Sequence, residues 1–179
     1  PPVEPVVETP VVEEAPAPMP GNFYLGLGYS YMNWESDSME VDGDAVTLVA
    51  GYNFNKYIGV EGRYSMTVGD LTASETGYPD RDSEISNLAI YLKPMLPLGG
   101  VTLYGLLGYG ELTVDDDYEE ASESGFQWGA GASMAINERL SVFADYTCLY
   151  DDENFDNPFE PNTADIYVYS VNVGVTYNF

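Results

Sequence analysis

From Asn22 to the end of the chain, apolar and polar residues alternate with a period of two. The last segment shows it most cleanly. Tyr167, Tyr169, Val171, Val173, Val175, Tyr177 and Phe179 are apolar or aromatic, and Val168, Ser170, Asn172, Gly174, Thr176 and Asn178 lie between them. Successive side chains of a strand point to opposite faces, so this pattern predicts a strand with one greasy and one polar face. The same phase predicts further strands at "NFYLGLGYSYMNW" (22–34), "AVTLVAGYNF" (45–54), "YIGVEGRYSMTV" (57–68), "ISNLAIYLK" (85–93), "SGFQWGAGASMAI" (124–136) and "RLSVFADYTCLY" (139–150). A stretch at 101–112, "VTLYGLLGYGEL", is apolar at both phases, which leaves its inward face open. Connections alternate in length. Asn55-Lys56, "MLPLGG" (95–100) and Asn137-Glu138 are short, whereas 35–44, 69–84, 114–123 and 151–165 are long. Eight antiparallel strands with short turns at one end and long loops at the other predict an all-β, up-and-down barrel over residues 22–179.

Which way this barrel is turned follows from the two faces. The apolar face carries no charged residue in the clearly phased strands. Opposite it lie Gly26, Gly28, Ser30, Thr47, Gly51, Asn53, Ser65, Asn87, Gly129, Gly131, Ser133, Thr147, Ser170, Asn172 and Gly174, with few charges: Glu61, Arg63, Lys93, Arg139 and Asp145. A soluble surface normally carries about 25–35% charged residues. A small-featured, sparsely charged polar face suits a tight lumen, and the apolar face suits lipid, where a charge near the midplane costs several kcal/mol. Aromatics gather toward the strand ends, with Tyr29, Tyr31, Phe126, Trp128, Tyr150, Tyr167 and Tyr169 at one and Phe23, Tyr52, Phe54, Tyr177 and Phe179 at the other. Such belts mark membrane–water interfaces. The competing architecture is a soluble, lipocalin-like binding barrel.

Residues 1–21 are different. Seven of the 12 prolines fall in "PPVEPVVETPVVEEAPAPMP", which reads as a stiff, extended, polyproline-like spacer. The alternative is a tether to a periplasmic protein or cell-wall partner. The opening Pro1-Pro2 is unusual after signal-peptidase cleavage, so residues upstream or different processing are expected.

Charge sharpens the picture. Five Lys+Arg against 30 Asp+Glu give −25, which argues against nucleic acid as a partner. The four long connections hold 22 of the 30 acids and one base, Arg81. A solvated, mutually repelling rim is the plain reading. Weak Ca²⁺ or Mg²⁺ candidates are Asp115, Asp116, Asp117, Glu119 and Glu120, whose hard oxygens suit such cations but lack the EF-hand spacing. No other cofactor is expected. In the lumen, Glu61, Arg63, Lys93 and Asp145 are expected to form an ion-pair network, since buried charges must pair or be hydrated. Glu111 joins them only if strand 5 turns its Leu103–Leu107–Tyr109 face inward.

The stretches "FYLGLGYSY", "YGLLGYGEL" and the final Tyr177-x-Phe179 resemble the small eight-stranded outer-membrane barrels of Gram-negative bacteria, the group containing the outer-membrane protein A transmembrane domain. The resemblance spans residues 22–179. It implies an outer-membrane location with lipid and lipopolysaccharide as neighbours, long loops outside the cell and termini in the periplasm. It also implies that Tyr177 and Phe179 form the terminal signal read by the barrel-assembly machinery. The proline-rich segment precedes the barrel and no peptidoglycan-binding domain follows it here, which departs from two-domain members.

Enzymatic roles are not expected. The chain has no histidine, so a Ser-His-Asp set is ruled out, and Cys148, on the predicted lipid face, has no histidine to activate it. A hydrolase using two loop carboxylates ranks low. The functional reading is a non-enzymatic envelope barrel that anchors or displays acidic loops, with a narrow ion path gated by the lumen charges as the alternative.

Overall fold

A computed structural model describes residues 22–36, 39–68, 72–73, 84–116, 119–152 and 166–179. Eight long strands make the wall: β1 (Asn22–Ser36), β2 (Met39–Asn53), β3 (Ile58–Thr67), β4 (Glu84–Leu98), β5 (Val101–Asp116), β6 (Glu119–Ala135), β7 (Leu140–Asp152) and β8 (Ile166–Asn178). Each pairs antiparallel with the next, and β8 returns to β1 from Tyr24↔Asn178 to Ser36↔Ile166. The sheet is therefore a closed, eight-stranded, all-β barrel, as the alternation predicted. A two-residue strand, Thr72–Ala73, adds to β2 at Val41–Asp42. The tail at 1–21 and the segments 74–83 and 153–165 lie outside the described residues.

The short turns have a chemical basis. Asn55 Oδ1 accepts the amides of Tyr57 (2.8 Å) and Ile58 (3.2 Å), and Asn137 Oδ1 accepts those of Arg139 (2.9 Å) and Leu140 (2.8 Å). Asparagine thus folds two of the turns by mimicking a backbone turn with its side chain. The third turns on Gly99 at φ 72°, a left-handed conformation that favours glycine.

Three connections differ from the sequence expectation. β4 continues past Lys93 to Leu98, so "MLPLGG" is mostly strand and the turn is Gly99-Gly100. The long connections 35–44 and 114–123 are mostly hairpin, with β1 running to Ser36, β2 starting at Met39, β5 ending at Asp116 and β6 starting at Glu119. Apolar alternation stops where the apolar face stops, but backbone pairing needs no apolar side chain and continues beyond it.

The burial is inverted relative to a soluble barrel. Phe23, Leu27, Leu48, Leu88, Ile90, Leu107 and Val173 are exposed on the outside. Ser30, Thr47, Glu61, Asn87, Gln127, Ser170 and Asn172 are almost wholly buried inside. Strand β5 settles its ambiguity: Tyr104, Leu106 and Leu112 point inward, and Leu103, Leu107 and Tyr109 outward. Glu111 is accordingly exposed and outside the lumen. Interior packing decides this phase, because Leu106 meets Tyr91, Tyr104 and Ala89 in one cluster.

Aromatic pairs sit at both ends of the outer wall. Phe23–Tyr52, Tyr52–Phe54 and Tyr177–Phe179 lie toward the short turns, at centroid distances of 5.6, 5.3 and 5.1 Å. Toward the loop end, Trp128, Tyr146, Tyr169 and Tyr167 form a continuous patch. Cys148 shares the outer face with its ladder partners Trp128 and Tyr169, as its phase suggested, but is covered there. It is 1% exposed, beside a bulge between Cys148 and Tyr150 that turns Leu149 inward.

Candidate functional site

The lumen is filled in three tiers. At its centre β3 presents Glu61 and Arg63 two residues apart, hence on one face, with Lys93 arriving from β4 and Asp145 from β7. Arg63 donates Nε to Glu61 at 2.6 Å and a two-pronged pair to Asp145 at 2.9 and 2.6 Å. Lys93 Nζ lies 2.6 Å from the other Glu61 oxygen. Two cations meet two carboxylates, and the planar guanidinium fork spans both acids, a geometry lysine cannot supply.

Neutral groups complete this cluster. Tyr24 donates its hydroxyl to Glu61, and Tyr104 donates to Asp145 at 2.7 Å. Asn172 Nδ2 reaches Asp145 at 2.7 Å. Lys93 lies 4.3 Å from the Tyr104 ring centroid and 4.9 Å from that of Tyr24, so its ammonium is also held over aromatic faces. Each carboxylate is thereby surrounded by donors, as a buried charge requires.

The sequence pointed to the four charged residues, and the structure brings them together. It did not point to Tyr24, Tyr104 or Asn172 as their partners. Tyr24 shares the phase of Gly26, Gly28 and Ser30, which was the available signal. Tyr104 was hidden by the ambiguity of β5. Arg139, also placed on the polar face, lies instead at a turn, exposed, donating to the Tyr177 hydroxyl at 2.9 Å.

Toward the loop end the lumen becomes uncharged and then apolar. Ser30, Thr47 and Ser65 form a hydroxyl chain at 2.5 and 2.7 Å. Asn87 and Gln127 pair amide to amide at 3.2 and 2.7 Å, and the Tyr91 hydroxyl joins Gln127 at 2.6 Å. Beyond them Met32, Ala45, Ile85, Leu112, Leu149 and Val168 form an apolar cluster, with Trp34 packed against it. The sequence pointed to a lumen face rich in Gly, Ser, Thr and Asn, and it did not point to this apolar plug.

Toward the short turns the lumen widens. A cavity of about 650 Å³ runs from Asn55, Lys56, Gly99 and Asn137 at the turns to Glu61, Arg63 and Lys93 at the ion-pair cluster. Among the described residues the cavity thus reaches the charge pairs, and the apolar cluster lies on their loop-end side.

The remaining candidates are placed as follows. Asp115 is exposed on β5, and the pairs Asp115↔Glu120 and Asp116↔Glu119 face each other across the β5–β6 hairpin. The side chains of Asp116, Glu119 and Glu120, and all of Asp117, lie outside the described residues, among which no cluster of metal-ligating groups occurs. Phe179 is 73% exposed, and its amide pairs with the Phe23 carbonyl at 3.0 Å.

Comparison with known proteins agrees with this architecture. A family model described as the outer membrane protein beta-barrel domain matches residues 12–179. Among solved structures, the chain is similar to Ail, the attachment invasion locus protein of Yersinia pestis, in complex with the heparin analogue sucrose octasulfate. That match has 21% identity and a TM-score of 0.63, and covers 90% of this chain and 100% of Ail. OprG of Pseudomonas aeruginosa matches at 16% identity and a TM-score of 0.62, covering 89% and 96% of the two chains. Neisserial surface protein A matches at 16% identity and 0.59, covering 88% and 97%. No curated protein matches the chain by sequence.

Proposed function

Because the chain belongs to the outer membrane protein beta-barrel domain family, we propose that it is a non-enzymatic barrel that anchors in the outer membrane and holds an acidic rim outside the cell. Its termini then lie on the periplasmic side, where residues 1–21 tether it to an envelope partner, and Tyr177 and Phe179 serve assembly. The observation that carries this reading is the packing of the lumen. The apolar plug from Met32 to Val168 lies above a fully paired charge cluster, so the barrel offers a rigid wall and two ends instead of a conduit.

The rim's sign shapes what it meets. Ail was crystallised with a sulfated, anionic sugar analogue, whereas the long connections of this chain hold 22 acids and a single base. A polyanion is a poor fit here, and cationic partners or divalent cations bridging to lipopolysaccharide phosphates are the better one. The absence of histidine from the sequence supports the non-enzymatic reading.

Orientation is tested by single cysteines at Glu123 and Glu138, labelled in intact cells with a membrane-impermeant maleimide. Labelling at 123 alone is expected, and labelling at 138 alone would reverse the orientation. The second reading, a narrow ion path, is favoured by the vestibule that leads from the turns to the charge cluster. Planar-bilayer recording separates the two. A flat trace supports the closed barrel, and a stable conductance abolished by Arg63→Ala or Asp145→Ala supports the ion path.

A further inference from the structure

Basic residues gather at one place in this acidic chain. Of its five, Lys56, Arg63 and Lys93 line the cavity at the short-turn end, and Arg139 follows Asn137 and Glu138 at its mouth. Arg63 and Lys93 are spent on Glu61 and Asp145, but Lys56 and Arg139 take part in no salt bridge among the described residues. A second unsatisfied group sits at the same mouth. Asn53, Asn22 and Asn178 form an amide chain at 3.5 and 3.2 Å, yet Asn53 Oδ1 is buried without a donor. A buried acceptor left open is costly, so a donor belongs beside it.

The chain itself enters the barrel here. β1 begins at Asn22, which lines the cavity, and the family match takes in residues 12–21 although they precede β1. Immediately upstream run Pro16, Ala17, Pro18, Met19, Pro20 and Gly21, and residues 1–20 hold four glutamates and no base. Proline fixes its own φ and biases the residue before it toward an extended form. At about 3.1 Å per residue, Pro16–Pro20 would measure about 15 Å. Eight strands about 4.8 Å apart and tilted by about 40° close a barrel about 16 Å across. The segment therefore matches the width of the mouth. Opposite β1 stands the Gly99-Gly100 turn, where added side chains would meet nothing within 4 Å. The turns bearing Lys56 and Arg139 flank the path between.

We propose that Pro16–Gly21 seats across this mouth as a strap. Met19 reaches in among Val49, Met95 and Phe143 of the cavity wall, Gly21 turns the chain, and Glu13 and Glu14 are drawn to Lys56 and Arg139. Pro16, Pro18 and Pro20 have no N–H to desolvate, and the N–H of Met19 or Gly21 supplies the donor that Asn53 Oδ1 lacks. Only Gly21 joins the strap to β1, so its effective concentration at the mouth is in the millimolar range or above. This goes beyond the tether reading: a partner that draws on residues 1–12 would uncover the vestibule, which couples the two.

The test uses the full chain, in a Cys148→Ala background, in zwitterionic-lipid nanodiscs. Ser133→Cys, on the cavity wall, is labelled with iodoacetamide, a small neutral reagent. A strap seated about nine-tenths of the time slows this labelling about tenfold. Met19→Asp should therefore speed it by about that factor and Glu13→Lys/Glu14→Lys by a smaller one, neither change touching the barrel wall. An unchanged rate in Met19→Asp would overturn the proposal. Conversely, Met19→Cys should react about tenfold more slowly than Val7→Cys on the same segment. Equal rates there would overturn it as well, and this second measurement stands even if Ser133→Cys does not fold. No envelope partner is present in either, so a failed tether and a failed strap remain distinguishable.

Discussion

Replacing Arg63 with alanine removes three charge-assisted bonds, one to Glu61 at 2.6 Å and two to Asp145 at 2.9 and 2.6 Å, together with the guanidinium resting 5.6 Å from the Phe143 ring. What remains is a buried pair of carboxylates with only Lys93 between them. Glu61 keeps Lys93 and Tyr24, but Asp145 keeps only the neutral donors Tyr104 and Asn172. Stranding one partner of a buried pair costs about 3–5 kcal/mol. The vestibule of about 650 Å³ reaches this cluster, so water entry places the expected loss at the lower end, about 3 kcal/mol. Urea unfolding in lipid vesicles, followed by Trp34 and Trp128 fluorescence and by heat-dependent gel mobility, reads this directly. The double substitution Arg63→Ala/Asp145→Ala restores the balance of one lysine against one glutamate. It should therefore lose less than the sum of the two single changes, with a coupling of at least about 1.5 kcal/mol. A loss below about 1 kcal/mol for Arg63→Ala, with additive singles, would mean that water already solvates these groups and would refute the network as a structural element.

Further outcomes test other layers. Leu27 is half exposed at the middle of β1 on the outer wall, so Leu27→Arg should cost about 2–4 kcal/mol in a bilayer, where a water-facing site would be nearly indifferent; vesicle unfolding decides. Leu106 is completely buried against Tyr91 and Tyr104, and Leu106→Ala should destabilise by about 2–4 kcal/mol by the same measurement. A side chain at Gly51 would collide with the Tyr24 ring, so Gly51→Val should displace the Tyr24 hydroxyl from Glu61 and cost about 1–3 kcal/mol, with little further effect when made in a Tyr24→Phe background. Deleting Phe179, whose ring packs mainly on Tyr177, should cut assembled barrel in cells while shifting the unfolding free energy of folded protein by less than about 0.5 kcal/mol; equal assembly yields would contradict a signalling role.

Much of this protein was legible along the chain because a barrel strand has a strict period of two and two chemically different solvents. That alternation located the strands, the short turns at Asn55 and Asn137, the inverted faces and the inward phase of Glu61, Arg63, Lys93 and Asp145. It could not resolve β5, where both phases are apolar, because only the packing of Tyr104 and Leu106 against β4 distinguishes them. It could not see β1, β2, β5 and β6 continuing past the apolar belt, since backbone pairing leaves no hydrophobic trace. The plug of Met32, Ala45, Ile85, Leu112, Leu149 and Val168 drew its members from six strands, and the shift that turns Leu149 inward is a bulge, which no periodicity announces. The two-pronged Arg63–Asp145 contact joins residues 82 apart in sequence. Alternation determined which residues face inward. Closure of the sheet, its register and one bulge decided which of them meet, because a lumen this narrow couples side chains across the barrel only after every strand has been placed.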